Sequence, residues 1–526
     1  MLFDRVKSLD AIMATAEKKG LHRSLGPFQL TLLGIGAVIG TGIFVLTAEA
    51  SQKAGPGMLA SFIIAGFVCG VAALCYSELA SMVPVAGSAY TYTYAVVGEM
   101  MAWMVGWALI LEYAVGASAV AVGWSNHAIG LAQGLGYHFP AAISNADALM
   151  AKVELMFSAA PTADIMEALR IGGWINVPAV LVASAVTWLL IIGTTESARV
   201  NAVLVLIKIT ALTMFIFLTI PVMNAEHFTP FAPTGASGIF GAAASIFFAY
   251  VGFDAVSTAA EETKNPQRNV PIGLIGSLVI CTIFYLLVAS GEIGAIGAQP
   301  VMDAGVALAP GSAEFTGRCA LMGAGATQPL VCSKEALVHV LDTIGWPSLG
   351  RLVGLAAVLA LPSVVLMMMF GQTRVFFTMA RDGLLPAKLA SVHPKYRTPH
   401  VVTLVTGMGT AIAAAFLPVG KLADYSNSGT LFAFLMVAIA VMVLRKTDPS
   451  RKRPFRTPGV FIVAPLAIVG CLVLYFSLPM TAILLLPIWG GLGLLVYFFY
   501  SRSRSHVGRG FESDTPNDPP STGVTR

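Results

Sequence analysis

Twelve long stretches of this 526-residue chain carry almost no charge, and that pattern excludes most folds open to a sequence of this length. They fall near 28–48, 58–82, 99–130, 174–193, 199–223, 238–260, 271–293, 349–380, 400–417, 424–444, 460–478 and 480–500, and are referred to as segments one to twelve. Each is close to or above the ~20 residues that a helix needs to cross a bilayer. Helices satisfy their own backbone in lipid, so the runs read as helices. Composition agrees: 11% of residues are charged, against ~25% in soluble domains. The expected fold is an all-α polytopic membrane protein with twelve transmembrane helices. Residues 1–24 are expected as a cytoplasmic N-terminal segment, retained rather than cleaved, because no small-residue cleavage site precedes segment one.

Charge placement predicts the orientation. Of 31 Lys and Arg, 23 fall on one side of an even-numbered helix count, and seven (Lys53, Lys152, Arg170, Arg318, Lys334, Arg351 and Lys421) fall on the other. The positive side faces the cytoplasm, which puts both termini inside. The cluster "RKRPFR" (451–456) flanks a segment and reads as a topology anchor touching anionic lipid, not as a nucleic-acid site. Two outer connections are long, 131–173 and 294–348. The second carries a Gly/Ala/Pro-rich insertion with loop chemistry, then "SKEALVHVLDTIG", an amphipathic helix. Cys319 and Cys332 both fall in this connection and are predicted to form a disulfide on the oxidising side. The other four cysteines lie in segments as small hydrophobes. The tail, 501–526, is polar, Pro- and Ser-rich, and expected to be disordered.

Two segments are interrupted. Segment one reads "GIGAVIGTGIF" (34–44), with four glycines where a helix is least helped by them. Segment six reads "GIFGAAASIFFAYVGFDAVSTAAEE" (238–262), with Gly252 near its middle. Breaks at corresponding places five segments apart point to an inverted-repeat transporter with its site at the midplane. The repeats would cover about 28–223 and 238–444 within a transporter domain of 25–500, leaving 460–500 as two extra helices. An unwound break frees amides that suit a carboxylate and carbonyls that suit an ammonium. That pair of features fits a zwitterion, an amino acid above all. Close helix packing through Gly36 and Gly40 is the competing explanation for the glycines.

At these residues the sequence resembles the amino acid–polyamine–organocation superfamily, and within it the cationic amino acid transporter branch and its bacterial relatives. The resemblance rests on "GIGAVIGTGIFVLT", "PVAGSAYTYTYAVVGE", "GWALILEY", "ESARVNAVLVLIKI", "FFAYVGFDAVSTAAEETKNPQRNVP" and "QTRVFFTMARDGLLP", spread over most of 25–460. It implies a LeuT-like 5+5 repeat with discontinuous helices one and six, in a cell membrane such as the bacterial inner membrane. It also implies that backbone around Val38, Thr41 and Gly42 receives a substrate carboxylate, and that carbonyls at Phe248, Ala249 and Val251 receive the amino group. The Phe248 ring would gate the outer side; read alone, it is an ordinary core aromatic. The long outer connections depart from the family pattern.

Three charged residues sit deep in segments, each costing ~2.5–3.5 kcal/mol unless it has a partner or a cavity. Lys208 lies about nine residues into segment five, ~14 Å along the helix and too deep to snorkel comfortably. In the branch resembled, a lysine from this segment replaces the sodium ion of related transporters, so Lys208 is expected to carry the coupling proton. Glu112 either lines the side-chain pocket, where it would suit arginine or lysine, or makes a helix–helix hydrogen bond. Asp254 either helps move protons or caps the inner half of segment six, and the cap is the simpler role. Scattered histidines with no HExxH or CxxC spacing predict no metal, and the lack of a P-loop removes a nucleotide-driven pump. No cofactor is implied, and no nucleophile–base pair supports an intramembrane enzyme. The expectation is a secondary active permease importing small neutral or cationic amino acids with protons. An uncoupled exchanger or passive facilitator of the same fold is the alternative.

Overall fold

The computed structural model describes residues 5–7, 25–83, 88–157, 162–193, 198–258, 263–322, 328–396 and 398–510. Helices occupy all twelve predicted segments. Among the described residues, seven helices are long and apolar enough to cross a membrane by length and composition, and five more apolar helices are shorter, of 10–17 residues.

Segment one starts as the helix Pro27–Val38, with Pro at its first position and the Gln29 side chain accepting from the Gly26 amide at 3.1 Å. It stops at Val38, passes through Ile39 and Gly40, and resumes as Thr41–Phe44 and Leu46–Ala54. Segment six runs as Gly235–Ile246, tightens over Phe247–Tyr250, and turns at Gly252 before the single helical turn Ala255–Thr258. Gly252 has φ +110°, a conformation that only glycine adopts cheaply. Both interruptions are therefore real breaks in the helix.

The long helix Glu99–Gly134 of segment three forms the core, packed against Pro347–Arg381 (segment eight) and Val419–Thr447 (segment ten). Segment seven, Pro266–Ile296, packs against Met58–Met82 and the first half of segment one. Segments eleven and twelve, Val460–Phe476 and Met480–Val496, sit at the edge, on segments two, three and ten. Segment twelve is fastened by tryptophans. Trp107 and Trp489 stack at 4.8 Å, and each indole donates to the other's backbone carbonyl.

The two long connections, expected on the outer side, are more ordered than their composition implied. Residues 147–157 and 163–171 form two short helices, and Ala313–Leu321, inside the stretch expected to be loop, forms a third. Ser312 caps that third helix by accepting from Phe315 N at 3.1 Å, and Ala313 joins an apolar cluster with Ala151, Ile165 and Ala168. Gly/Ala-rich sequence reads as loop, yet small residues here let helices meet at backbone distance: a Cβ on Gly317 would overlap the Asp164 backbone. Arg318 bridges Asp164 at 2.9 Å and Asp303 at 3.3 Å, and Lys334 reaches Asp147 at 2.7 Å. The two connections thus form one cap. The predicted amphipathic helix is present as Ala336–Thr343.

Cys319 and Cys332 are disulfide-bonded, with Cα atoms 5.5 Å apart, and the other four cysteines are buried and free. Denatured, unreduced protein should therefore take up alkylating reagent at four cysteines, and reduced protein at all six of the sequence. Closing a loop with a sequence separation of 13 contributes about 3 kcal/mol in the chain-entropy picture, so reduction should lower the melting temperature of the cap.

Glu335 supplies a pH prediction for the same cap. Burial pushes its carboxyl up to about 8, with nearby Asp342 adding to the rise. The folded cap then holds a proton that the unfolded chain releases near pH ~4.3. Stability is fully present below that pH and is lost as pH rises through about 8. Thermal melts from acid to mildly alkaline pH should fall over this window. Glu335→Gln should flatten the fall; an unchanged slope in that variant would place the titration elsewhere.

At the opposite end, part of the predicted tail is packed rather than free. Ser501 Oγ donates to Leu384 O at 2.6 Å, and His506 N donates to Asp382 O at 3.0 Å. Arg5, from the N-terminal segment, donates to Arg502 O at 2.8 Å, and Lys7 pairs with Asp382 at 2.9 Å. Polar residues here satisfy backbone groups at the helix ends, a role that composition does not reveal. Residues 511–526, the rest of the expected disordered tail, lie outside the described residues.

Candidate functional site

The two broken segments meet at their breaks. A Cβ on Gly42 would overlap the Cα of Ala249, and a Cβ on Gly252 would stand 3.0 Å from Ala37 O. The contacts are reciprocal: a glycine of each segment lies against an alanine backbone of the other. Close packing, the competing explanation for the segment-one glycines, is therefore part of the answer at Gly42. It also accounts for Gly36, where a Cβ would meet Asn201 Oδ1 and Val205 at 2.8 Å. Gly40 has more room, with Val364 3.4 Å from a built Cβ.

The end of a helix leaves its last carbonyls without intrahelical partners. At the end of Pro27–Val38, Gly36 O accepts from Lys208 Nζ at 2.7 Å and Val38 O accepts from Tyr285 OH at 2.8 Å. Tyr285 OH also lies 2.8 Å from Ala249 O, so one hydroxyl joins the two breaks. Lys208 is fully buried, as its depth in segment five predicted, and its ammonium sits at the break. Across the gap, the amides of Gly40, Thr41 and Gly42 donate to no other described group. The Val251 carbonyl likewise receives no hydrogen bond from the described residues, while Phe248 O accepts from Val251 N at 3.2 Å. Among the described residues, unbonded amides at the first break and an unbonded carbonyl at the second thus lie close to Lys208 and Tyr285 in the fold.

The side chains around this locus come from four segments. A Cβ built on Gly116 would lie 2.9 Å from Met368 Sδ, 3.1 Å from Ser426 Oγ and 3.5 Å from the Phe248 ring. Segments three, eight, ten and six therefore converge on Gly116. Phe248 is 4% exposed and Thr41 1%, so this state is closed around the locus. Tyr285, Met368 and Ser426 escaped the sequence reading, because each looks like ordinary filling of an apolar or small-residue helix.

Glu112 lies one turn from Gly116 and faces segment ten. Ser426 Oγ donates to Glu112 O at 2.9 Å, a Cβ on Gly429 would stand 3.4 Å from Glu112 Cβ, and the carboxyl oxygens are buried without a hydrogen-bond partner. Asp254 is buried and accepts from Tyr113 OH at 2.8 Å, while its backbone carbonyl takes Ser257 N at 2.8 Å. Sequence reasoning placed both acids deep in their segments, but not their partners on segments three and ten.

Beyond the break, the half-helix Leu46–Ala54 is held by polar contacts. Lys53 pairs with Asp424 at 3.3 Å and also bonds Ser245, which in turn bonds Asp424. Gln52 donates to Val301 O at 2.8 Å and Leu308 O at 2.9 Å, and Thr47 donates to Glu292 Oε1 at 3.0 Å. Among the described residues, no group of His, Cys, Asp and Glu is arranged to hold a metal ion.

Residues 25–490 match the family described as amino acid permease. Over 504 residues, 96% of this chain and 98% of the relative, the chain is 42% identical to the branched-chain amino acid permease BcaP of Bacillus subtilis. It is 38% identical to the methylthioribose transporter of the same organism, over 95% of this chain and 98% of that protein. A further relative is the vacuolar cationic amino acid transporter 2 of Arabidopsis thaliana, 33% identical over 85% of this chain and 64% of the plant protein. The family and these relatives are transporters, not enzymes.

Proposed function

The chain belongs to the amino acid permease family, and from that premise we propose that it imports amino acids across the cell membrane together with protons. In this reading all twelve segments cross the membrane, segments one to five and six to ten are inverted repeats, and both termini are cytoplasmic. The substrate carboxylate meets the amides of Thr41 and Gly42, backed by the dipole of the following half-helix. The ammonium meets the carbonyls of segment six, Val251 first. Lys208 Nζ on Gly36 O, 2.7 Å away, is the observation that carries the coupling. A buried ammonium bonded to the carbonyl end of a broken helix stands where a bound cation would, and removal of its proton would loosen that end.

The side-chain pocket favours apolar substrates. Met368 and the Phe248 ring flank Gly116, and Val364 lies beside Gly40. A glycine wall opposite a flexible thioether admits a branched aliphatic group. The 42% identity with a branched-chain permease supports the same class. The unbonded carboxyl of Glu112 supports a second reading, a cationic side chain reaching one turn deeper. A thermal-shift screen over the twenty amino acids separates them. Stabilisation by valine, leucine or isoleucine is expected; stabilisation by arginine or lysine alone would give Glu112 the substrate. Counterflow with and without a pH gradient then distinguishes symport from passive exchange.

A further inference from the structure

Glu292 belongs to none of the roles above. It lies near the outer end of segment seven, fully buried. Oε1 accepts from Thr47 Oγ1 at 3.0 Å, and Oε2 is buried without a hydrogen-bond partner. No Lys, Arg or His pairs with it among the described residues. A buried carboxylate with one neutral donor and no counter-ion is strongly disfavoured.

The neighbouring elements supply no charge that changes this conclusion. On Leu46–Ala54, Thr47 meets Glu292, whereas Lys53 is directed to segments six and ten. Glu49 lies against Gly420, also on segment ten. Segment five meets this end of segment seven through Thr219, next to Gly291; its Lys208 is eleven residues below, about 16 Å along the helix. In the turn Ala225–Phe228, His227 Nδ1 is taken by Gly294 O and Glu226 is exposed. On Ala336–Thr343, which also packs here, His339 is bonded to Gln328 O, with Asp342 beside it, and Glu335 at the helix cap lies against Gly130. The outer part of segment two, Met58–Cys75, has no ionisable group other than its buried cysteines.

We propose that Glu292 is a proton site linked to the outer half of segment one: protonated while Thr47 covers it, and ionised only when that half-helix moves away and admits water. The proton exchanges between a Glu292 carboxyl oxygen and water on the outer side, and no other bond changes. Acid outside then favours closure of the outer face, which is the sense that inward proton symport requires. The inference rests on the symport reading for its purpose, but its test does not.

Hydrogen–deuterium exchange of residues 46–54 in purified protein, corrected for intrinsic rates, reads the linkage directly. Protection should be high near pH ~5 and at least about tenfold lower near pH ~9, because the exposed state binds fewer protons. Glu292→Gln keeps the shape and cannot ionise, so it should stay protected at both pH values, although Glu49, Lys53 and Asp424 remain. Thr47→Val removes the one side-chain contact that ties the half-helix to Glu292 and should lower protection of residues 46–54 at acid pH, changing the profile. Wild-type protection independent of pH would overturn the proposal, as would a Glu292→Gln profile matching wild type. Should Glu292→Gln fail to fold, an unchanged Thr47→Val profile overturns it equally. Loss of proton-driven uptake with the exchange profile intact would instead count against symport.

Discussion

Leucine at Gly42 is expected to abolish amino acid binding and to lower stability markedly. The glycine lies so close to segment six that even a Cβ would overlap the Cα of Ala249. That neighbour is backbone, so no rotamer change relieves the clash. Overpacking a core costs about 1–3 kcal/mol, and pushing two breaks apart should sit at or above the upper end. It would also shift the unbonded Thr41 and Gly42 amides from their place against segment six. Gly40→Ala is the matched control, since its Cβ would stand 3.4 Å from Val364, ordinary room for a side chain to adjust. Thermal melts with and without amino acid check both variants. A Gly42→Leu protein that melts like wild type and is still stabilised by substrate would remove the site from the breaks.

The sequence reveals much of this arrangement, unevenly. Apolar runs reveal helices because their burial is continuous along the chain, and Gly252 reveals a break because its φ of +110° admits little else. The burial of Lys208 was legible from its depth alone. What its ammonium bonds was not, since Gly36 lies 172 residues away. Tyr285, which joins the two breaks, looks like any core aromatic until two carbonyls are seen beside its hydroxyl. Glu292 escaped notice because it stands one residue inside the expected end of segment seven, where a carboxylate reads as reaching water. Only its contact with Thr47, 245 residues away, shows that it is buried. The cap formed by the two long connections was misread in part for a related reason: small residues at 313–321 encode close helix contact as readily as loop.

Replacing Lys208 with methionine should cost proton-driven accumulation while leaving most binding. Methionine keeps the length and bulk of the side chain but removes the charge and the hydrogen bond to Gly36 O. The amides of Thr41 and Gly42 and the carbonyls of segment six stay in place, so equilibrium binding should weaken much less than uptake. Lys208→Arg should fail as well, because a guanidinium keeps its proton across the working range. Uptake driven by a pH gradient should fall at least about tenfold in both variants, near what loss of about 1.4 kcal/mol of coupling implies. Thermal-shift binding measured beside uptake separates lost coupling from lost substrate. Binding lost in parallel with uptake would make Lys208 a structural support of the break.

Accumulation in proteoliposomes under an imposed inward proton gradient, in sodium-free buffer, tests the central claim most directly. Wild-type protein should concentrate a branched-chain amino acid above its outside level, and a protonophore should collapse that accumulation. Lys208→Met should reach equilibrium and go no further. Wild-type uptake that stops at equilibrium whatever the gradient, or accumulation by Lys208→Met that still follows the gradient, would contradict the account.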